Sequence, residues 1–424
     1  MKKHIFRRTA AGILAALMLA GCAAGQEVGT GSKGFSPALD TEAALQLEVL
    51  GFFGNFEALD QVTNDFNQYY PNITFAYQQV GGSSLEEYLD LNPEVDIFMV
   101  SSEFMNCRGA TLPDRCQDLS DLDMSAIDEQ MLRLYNIGGV QKAIPMSQNI
   151  TGMVVNTTLL EKEGLSIPDN TQAFLSALAA LKEKGYTPIQ GSAGKVYAEL
   201  TLSWLSHSLC TDENLLESAG NGDPAALEKL ASAFEFLDTI VKNGYTDPEV
   251  NEALPADNYD GSILSFFEGN TPFWICNSEK VSGMKKRETK SEAFQAAPFR
   301  YTFVYVPFGE GNDCIYQEPW FGFALGQGST HSDYAKEFLR FLATKDEINT
   351  MADIKGVPSV AKEHTSPAVY ADIQKPEILE NRVVNTGAVT PEITAAWYTC
   401  TTAYAGGEYA SPEQAVRAFL DMVC

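Results

Sequence analysis

Residues 142–160 read KAIPMSQNITGMVVNTTLL. Two apolar runs, Ala143–Ile144–Pro145–Met146 and Met153–Val154–Val155, flank the uncharged polar residues Ser147, Gln148, Asn149 and Thr151. Each run is consistent with a short strand. A chain with 56 acidic residues has thus placed a neutral polar gap between two strands. Outward from this gap, strand and helix signals alternate. Residues 44–53 (ALQLEVLGFF) put Leu45, Leu47 and Val49 on one face, and 73–80 (ITFAYQQV) read as another strand. Residues 95–100 (VDIFMV) are continuously apolar, as in a strand covered on both faces. Further strands are expected at 151–156, 271–277, 302–308 and 321–325.

Helix signals fill the intervals. Asn55 can cap a helix that turns Leu59, Val62 and Phe66 inward. Asn170 or Thr171 can cap a second, with Phe174, Leu175, Leu178 and Leu181 inward and Gly185 as its stop. Asp223-Pro224 supplies a cap and a first-turn proline for a helix burying Leu227, Leu230, Phe234, Leu237 and Val241. Residues 332–344 pack through Ala335, Phe338, Leu339 and Leu342, and Ser411-Pro412-Glu413-Gln414 resembles a capping box before a last helix. Such alternation predicts an α/β protein with largely parallel sheets. Ligands in such sheets sit beyond the carboxyl ends of the strands.

The N-terminus carries Lys2, Lys3, Arg7 and Arg8, then the apolar stretch 10–20, too short to span a bilayer. It reads as a secretory signal. Leu19-Ala20-Gly21-Cys22 looks like a bacterial lipobox, which predicts a signal peptide over 1–21 and lipidation of Cys22. Residues 22–43, rich in Gly, Ser and Ala, read as a flexible tether. Gly29, Gly31 and Gly34 spell G-x-G-x-x-G, but no strand precedes them and no helix follows, so a dinucleotide site is not expected.

Removing 1–21, with four basic and no acidic residues, leaves 25 basic against 56 acidic side chains, a balance of −31. That opposes binding to nucleic acid, which needs Lys and Arg to neutralise phosphates. About 380 remaining residues exceed what one core holds, so two lobes are expected. Seven cysteines remain besides Cys22. Cys107 and Cys116 bracket the short loop 106–116 (NCRGATLPDRC) and are the candidate disulfide; Cys276 reads as a small buried hydrophobe.

Past the strand ends come Phe53 and Asn55, then Ser101, Ser102 and Glu103, then Asn277, Ser278 and Glu279, while Glu318-Pro319-Trp320 stands just before 321–325. Trp204 and Trp397 lie in helical regions. Neutral amides, hydroxyls, a few carboxylates and large aromatics suit a polyhydroxylated ligand: the polar groups match sugar hydroxyls and tryptophan matches the apolar face of a pyranose. Enzyme signatures are weak. His207, His331 and His364 form no H-E-x-x-H pair, no G-x-S-x-G elbow occurs, and 118–123 (DLSDLD) lacks calcium-loop spacing. No metal or cofactor is expected. A glycoside hydrolase, which needs two carboxylates, stays as the alternative.

The lipobox, VDIFMV, KAIPMSQNITGMVVNTTLLEKEGL, FFEGNTPFWICNSE, PWFGFALGQGSTHSDYAKEFLRFLAT and KGVPSV occur in that order. Together they resemble the extracellular solute-binding lipoproteins of bacterial ABC importers, the family that includes maltose-binding protein, over residues 44 to 424. The resemblance implies two α/β lobes joined by a hinge that the chain crosses near 147–150, 300–304 and 346–356. Lobe one would be 44–147 with 303–348, and lobe two 148–302 with 349–424. It implies a monomeric, lipid-anchored protein on the outer face of the cytoplasmic membrane. That protein would bind an oligosaccharide, or a non-sugar solute on the same fold, and pass it to ABC permease subunits without chemistry. The cleft positions of the family correspond here to Phe53, Asn55, Gln148, Asn149, Asn277, Glu279 and Trp320. Glu103, Trp204 and Trp397 complete the expected ligand-binding set.

Overall fold

The computed structural model describes residues 34–252, 258–309, 314–385 and 387–424. Cys22 and the expected signal segment 1–21 lie outside the described residues. Two mixed sheets organise the described residues, which form one compact unit. The first has the strand order Ile73–Gln79, Leu45–Gly51, Ile97–Ser101, Phe321–Leu325, Ile144–Pro145. The second runs Tyr301–Val304, Thr151–Asn156, Phe273–Asn277, Ile189–Gln190.

The expectation of largely parallel sheets is corrected. Leu45–Gly51 is parallel to both of its neighbours, but Phe321–Leu325 is antiparallel to Ile97–Ser101 and to Ile144–Pro145. In the second sheet only the Phe273–Asn277 and Ile189–Gln190 pair is parallel. The reason is the route of the chain. Phe321–Leu325 enters its sheet directly from Ile315–Pro319, a strand of a third sheet, without the crossover helix that a parallel neighbour needs.

That third sheet has the order Arg382–Val384, Ile315–Pro319, Gln148–Asn149 and joins the other two. Residues 142–160 explain it. Ile144–Pro145 ends the first sheet, Gln148–Asn149 pairs with Pro319 and Glu318, and Thr151–Asn156 begins the second. The neutral gap is therefore a strand of its own.

Each large sheet is covered on both faces. Leu47 and Val49 face the helices Glu57–Phe66 and Ser332–Leu342, where Phe66 and Phe338 lie 5.1 Å apart. Leu50, Phe98 and Val100 point the other way, onto Leu85 and Leu89. In the second sheet Met153, Val155, Phe273 and Ile275 pack on Phe174 and Leu178, and the alternate residues Val154, Trp274 and Cys276 on Ile263 and Phe266. The period of two along a strand does this sorting. Asn170, Asp223 and Ser411 cap their helices through side-chain oxygens.

Several local expectations fail. Asn55 does not cap; the helix starts after Phe56, and the Asn55 amide donates to Glu57 at 3.2 Å. Val241 is exposed, the penultimate residue of its helix Pro224–Lys242. The tether expected through residue 43 ends earlier: Phe35 is buried against Phe341, Arg340 lies 4.3 Å over its ring, and the Ala38 amide donates to Glu337 at 2.9 Å.

The expected Cys107–Cys116 bridge does not form, and both are free thiols. Residues Leu112–Arg115 make a 3-10 turn that swings Cys116 wholly into the core beside Leu50 and Val100. Cys107 stays half-buried at the end of the helix Ser102–Asn106, its thiol 3.7 Å from the Phe104 carbonyl oxygen.

Candidate ligand-binding cleft

A cavity of 1360 Å³ opens where both large sheets end. One wall is the segment 52–58 that follows Leu45–Gly51; the opposite wall is the pair of short helices Ser278–Ser282 and Met284–Glu288 that follows Phe273–Asn277. Trp320 and the end of the helix Lys345–Lys355 join them. The cavity thus lies beyond the carboxyl ends of strands from both sheets, where α/β proteins place ligands.

Its aromatic wall is set by backbone pairing. The Trp320 amide donates to the Ser147 carbonyl at 2.8 Å, and the Met146 amide to the Phe321 carbonyl at 2.9 Å. The neutral gap at 147–149 is therefore the template that aims Trp320. The Trp320 ring meets Phe53 edge-on at 5.5 Å and Phe321 at 5.2 Å. Phe53 is held by the Tyr77 hydroxyl, which donates to its carbonyl at 2.7 Å. Both Phe53 and Trp320 are half-buried, so each keeps an accessible surface.

Lys355 was not anticipated. Gly356 ends its helix in the left-handed region (φ 68°), a conformation that favours glycine. The Lys355 Nζ lies 3.6 Å from the centroid of the Phe53 ring and 5.5 Å from that of Trp320. Burial lowers its pKa to about 8; Glu279 and Glu57 oppose that fall and Lys286 adds to it. The basic run Lys285-Lys286-Arg287 also lines the cavity.

The predicted residues separate into groups. Phe53, Asn55, Glu279 and Trp320 line the cavity together. Asn149 sits at the junction of the sheets: its Oδ1 accepts from the Ser278 hydroxyl at 3.3 Å. It also hydrogen-bonds Glu318, whose carboxyl burial pushes above the usual range, with the Glu103 carboxylate adding to the rise. Glu103 is exposed and lies near Glu318 and Tyr398 rather than in the cavity wall.

Three expectations are corrected by burial, and a fourth residue, Asn277, has a structural role. Gln148 is buried, and its amide is spent on the Ser359 carbonyl at 2.5 Å. Asn277 caps the helix Ser278–Ser282, accepting from the Lys280 amide at 3.3 Å. Trp397 is fully buried in the core of the second sheet, its indole donating to Thr201 at 3.0 Å. Trp204 is buried against Phe308, ring centroids 5.4 Å apart. Both tryptophans sit on helix faces turned to the core, so they present no ring to a solute. Among the described residues no group of His, Cys, Asp and Glu could hold a metal ion, and no helix is long and apolar enough to cross a membrane.

The family model described as bacterial extracellular solute-binding protein matches residues 54–348. No curated protein matches the chain. Among solved structures, the apo form of RafE from Streptococcus pneumoniae is similar at 15% identity and a TM-score of 0.70, covering 89% of this chain and 97% of that one. A sugar transporter from Bacillus licheniformis in complex with stachyose has 16% identity, a TM-score of 0.63, and coverage of 89% and 98%. A chitin oligosaccharide binding protein has 18% identity, a TM-score of 0.66, and coverage of 89% and 98%. Likeness at these identities establishes a shared two-lobed fold.

Proposed function

We propose, from the premise that this chain belongs to the bacterial extracellular solute-binding protein family, that it captures an oligosaccharide in the cleft between its two large sheets. It then passes that sugar to ABC transporter permease subunits, with a lipid on Cys22 holding it to the outer face of the cytoplasmic membrane. In this reading one lobe comprises 44–147 with 303–348 and the other 148–302 with 349–424. Solute binds between them and the lobes close about the joining sheet, a hinge-type motion. The ligand undergoes no chemistry.

The observation that carries the reading is the placement of Phe53 and Trp320, half-buried aromatic rings, in a 1360 Å³ cavity that both sheets also line with polar groups such as Asn55 and Glu279. Apolar ring faces beside directional donors and acceptors match a pyranose, which has an apolar face and a polar rim. The sugars named with the structural neighbours support the same class. A thermal-shift screen of the mature chain against neutral and acidic oligosaccharides, peptides and polyamines tests it. Stabilisation by sugars alone is expected. Stabilisation by peptides or polyamines alone refutes the carbohydrate class, and turnover of a bound sugar refutes the absence of chemistry.

A further inference from the structure

The cations around the cleft are distributed unlike those of the rest of the chain. The cavity is lined by five cationic side chains, Lys285, Lys286, Arg287, Arg300 and Lys355, against four carboxylates, in a protein of 29 basic and 56 acidic residues. Four of the five are committed to carboxylates: Lys285 to Glu288, Lys286 to Glu57, Arg287 to Asp260 and Arg300 to Glu161. Among the described residues Lys355 has no carboxylate within salt-bridge distance. Its ammonium rests on the faces of Phe53 and Trp320, the aromatic surfaces already assigned to the solute.

An ammonium withdrawn from water beside carboxylates normally takes one as its partner. Glu57 and Glu279 line the same cavity, yet Glu57 is held by Lys286 and neither reaches Lys355. The aromatic faces give a cation a weaker partner than a carboxylate does. The backbone that presents Lys355 is fixed, since it is the last residue of its helix and Gly356 turns the chain sharply away, and the ammonium lies over the Phe53 ring. A positioned, uncommitted cation in a ligand cavity is a receptor for negative charge. A ring carboxylate suits it best. It projects from the edge of a pyranose, so the ring can lie against Trp320 while the carboxylate reaches the ammonium. A phosphate or sulfate group is held best by several converging donors or an arginine fork, and among the described lining residues one ammonium is uncommitted.

We propose that the oligosaccharide taken by this cleft contains a hexuronate unit, and that Lys355 is the specificity-determining residue that pairs with its carboxylate. This rests on the carbohydrate reading above. The experiment is calorimetric titration of the mature chain with hexuronate-containing oligosaccharides and with the same oligosaccharides after reduction of each carboxylate to the primary alcohol. Phosphorylated and sulfated sugars of equal length serve as further arms. The acidic sugars are expected to bind at least about tenfold more tightly than their reduced counterparts, one charge-assisted contact being involved. Lys355→Met should bring that ratio within about twofold, and Lys355→Arg should retain most of it, both judged on variants whose circular dichroism matches the parent. Equal binding of acidic and reduced sugars overturns the assignment of Lys355 and leaves the carbohydrate reading standing. Preference for the phosphorylated or sulfated arm overturns the hexuronate. Binding of no sugar in any arm overturns the carbohydrate reading and this inference with it.

Discussion

Glu347→Gln should stabilise this protein, and by an amount that grows with pH. Glu347 lies in the first turn of the helix Lys345–Lys355, the same helix that carries Lys355 into the cleft. It is only 3% exposed, and its Oε2 has no hydrogen-bond partner among the described residues. Burial first, then the Asp65 and Asp346 carboxylates, push its pKa up to about 8. The helix N-terminus favours a carboxylate, so burial wins over the dipole here. A glutamate in the unfolded chain titrates near ~4.3. The folded value is the higher one, so between the two the folded chain binds a proton that the unfolded chain has released. Stability therefore falls as pH rises through that window. Each pH unit removes ~1.4 kcal/mol, so the ceiling at pH 7 is roughly 3–4 kcal/mol. Local relaxation and water entry reduce this, and about 2 kcal/mol is the working expectation. Glutamine keeps the shape and removes the titration. Urea denaturation of parent and variant at pH 4, 6 and 7.5 reads the difference directly. The two should agree within ~1 kcal/mol at pH 4 and separate by about 2 kcal/mol at pH 7.5, the variant being the more stable. A variant advantage that is constant with pH, or that shrinks as pH rises, refutes the buried, proton-holding Glu347.

Trp320→Ala should weaken oligosaccharide binding by more than ~1.5 kcal/mol, because both the ring contact and apolar burial are lost; calorimetry with an unchanged affinity and an intact fold would remove Trp320 from the site. Asn149→Ala breaks the side-chain link between Ser278 and the Glu318 strand, so it should lower stability by about 1 kcal/mol and weaken binding severalfold, measured by thermal melting and titration. Gly322→Ala should destabilise by roughly 1–3 kcal/mol, since a Cβ there would lie 2.5 Å from the Ile144 carbonyl oxygen. Denaturant midpoints show whether the strand can shift to accept it.

The parts of this fold legible in the sequence are those set by local rules. The strand at 151–156 and the caps Asn170, Asp223 and Ser411 depend on period and on side-chain oxygens, which neighbours in sequence determine. Strand direction was not legible. The antiparallel entry of Phe321–Leu325 follows from a third sheet assembled from residues 148–149, 315–319 and 382–384. No local pattern encodes that pairing. In the site, Phe53, Asn55, Glu279 and Trp320 follow strand ends or precede a strand start, where topology places ligands. Trp204 and Trp397 were misread because an aromatic residue alone does not reveal which helix face it occupies; their helices Val196–Thr211 and Pro391–Ala405 turn them inward. Gln148 was misread for a related reason: a neutral amide serves a buried strand junction as readily as a sugar hydroxyl. Lys355 was missed because its neighbours Phe53 and Trp320 are distant in sequence and meet it only through the fold.

The central claim is that a sugar is held between the two sheets at the cavity containing Phe53 and Trp320. Amide hydrogen exchange of the mature chain, with and without a saturating oligosaccharide found by the screen, tests it most directly. New protection is expected in segments 52–58, 279–288 and 353–356, which form the two walls and the helix end that joins them. Protection confined to one wall, or located away from all three segments, would contradict it.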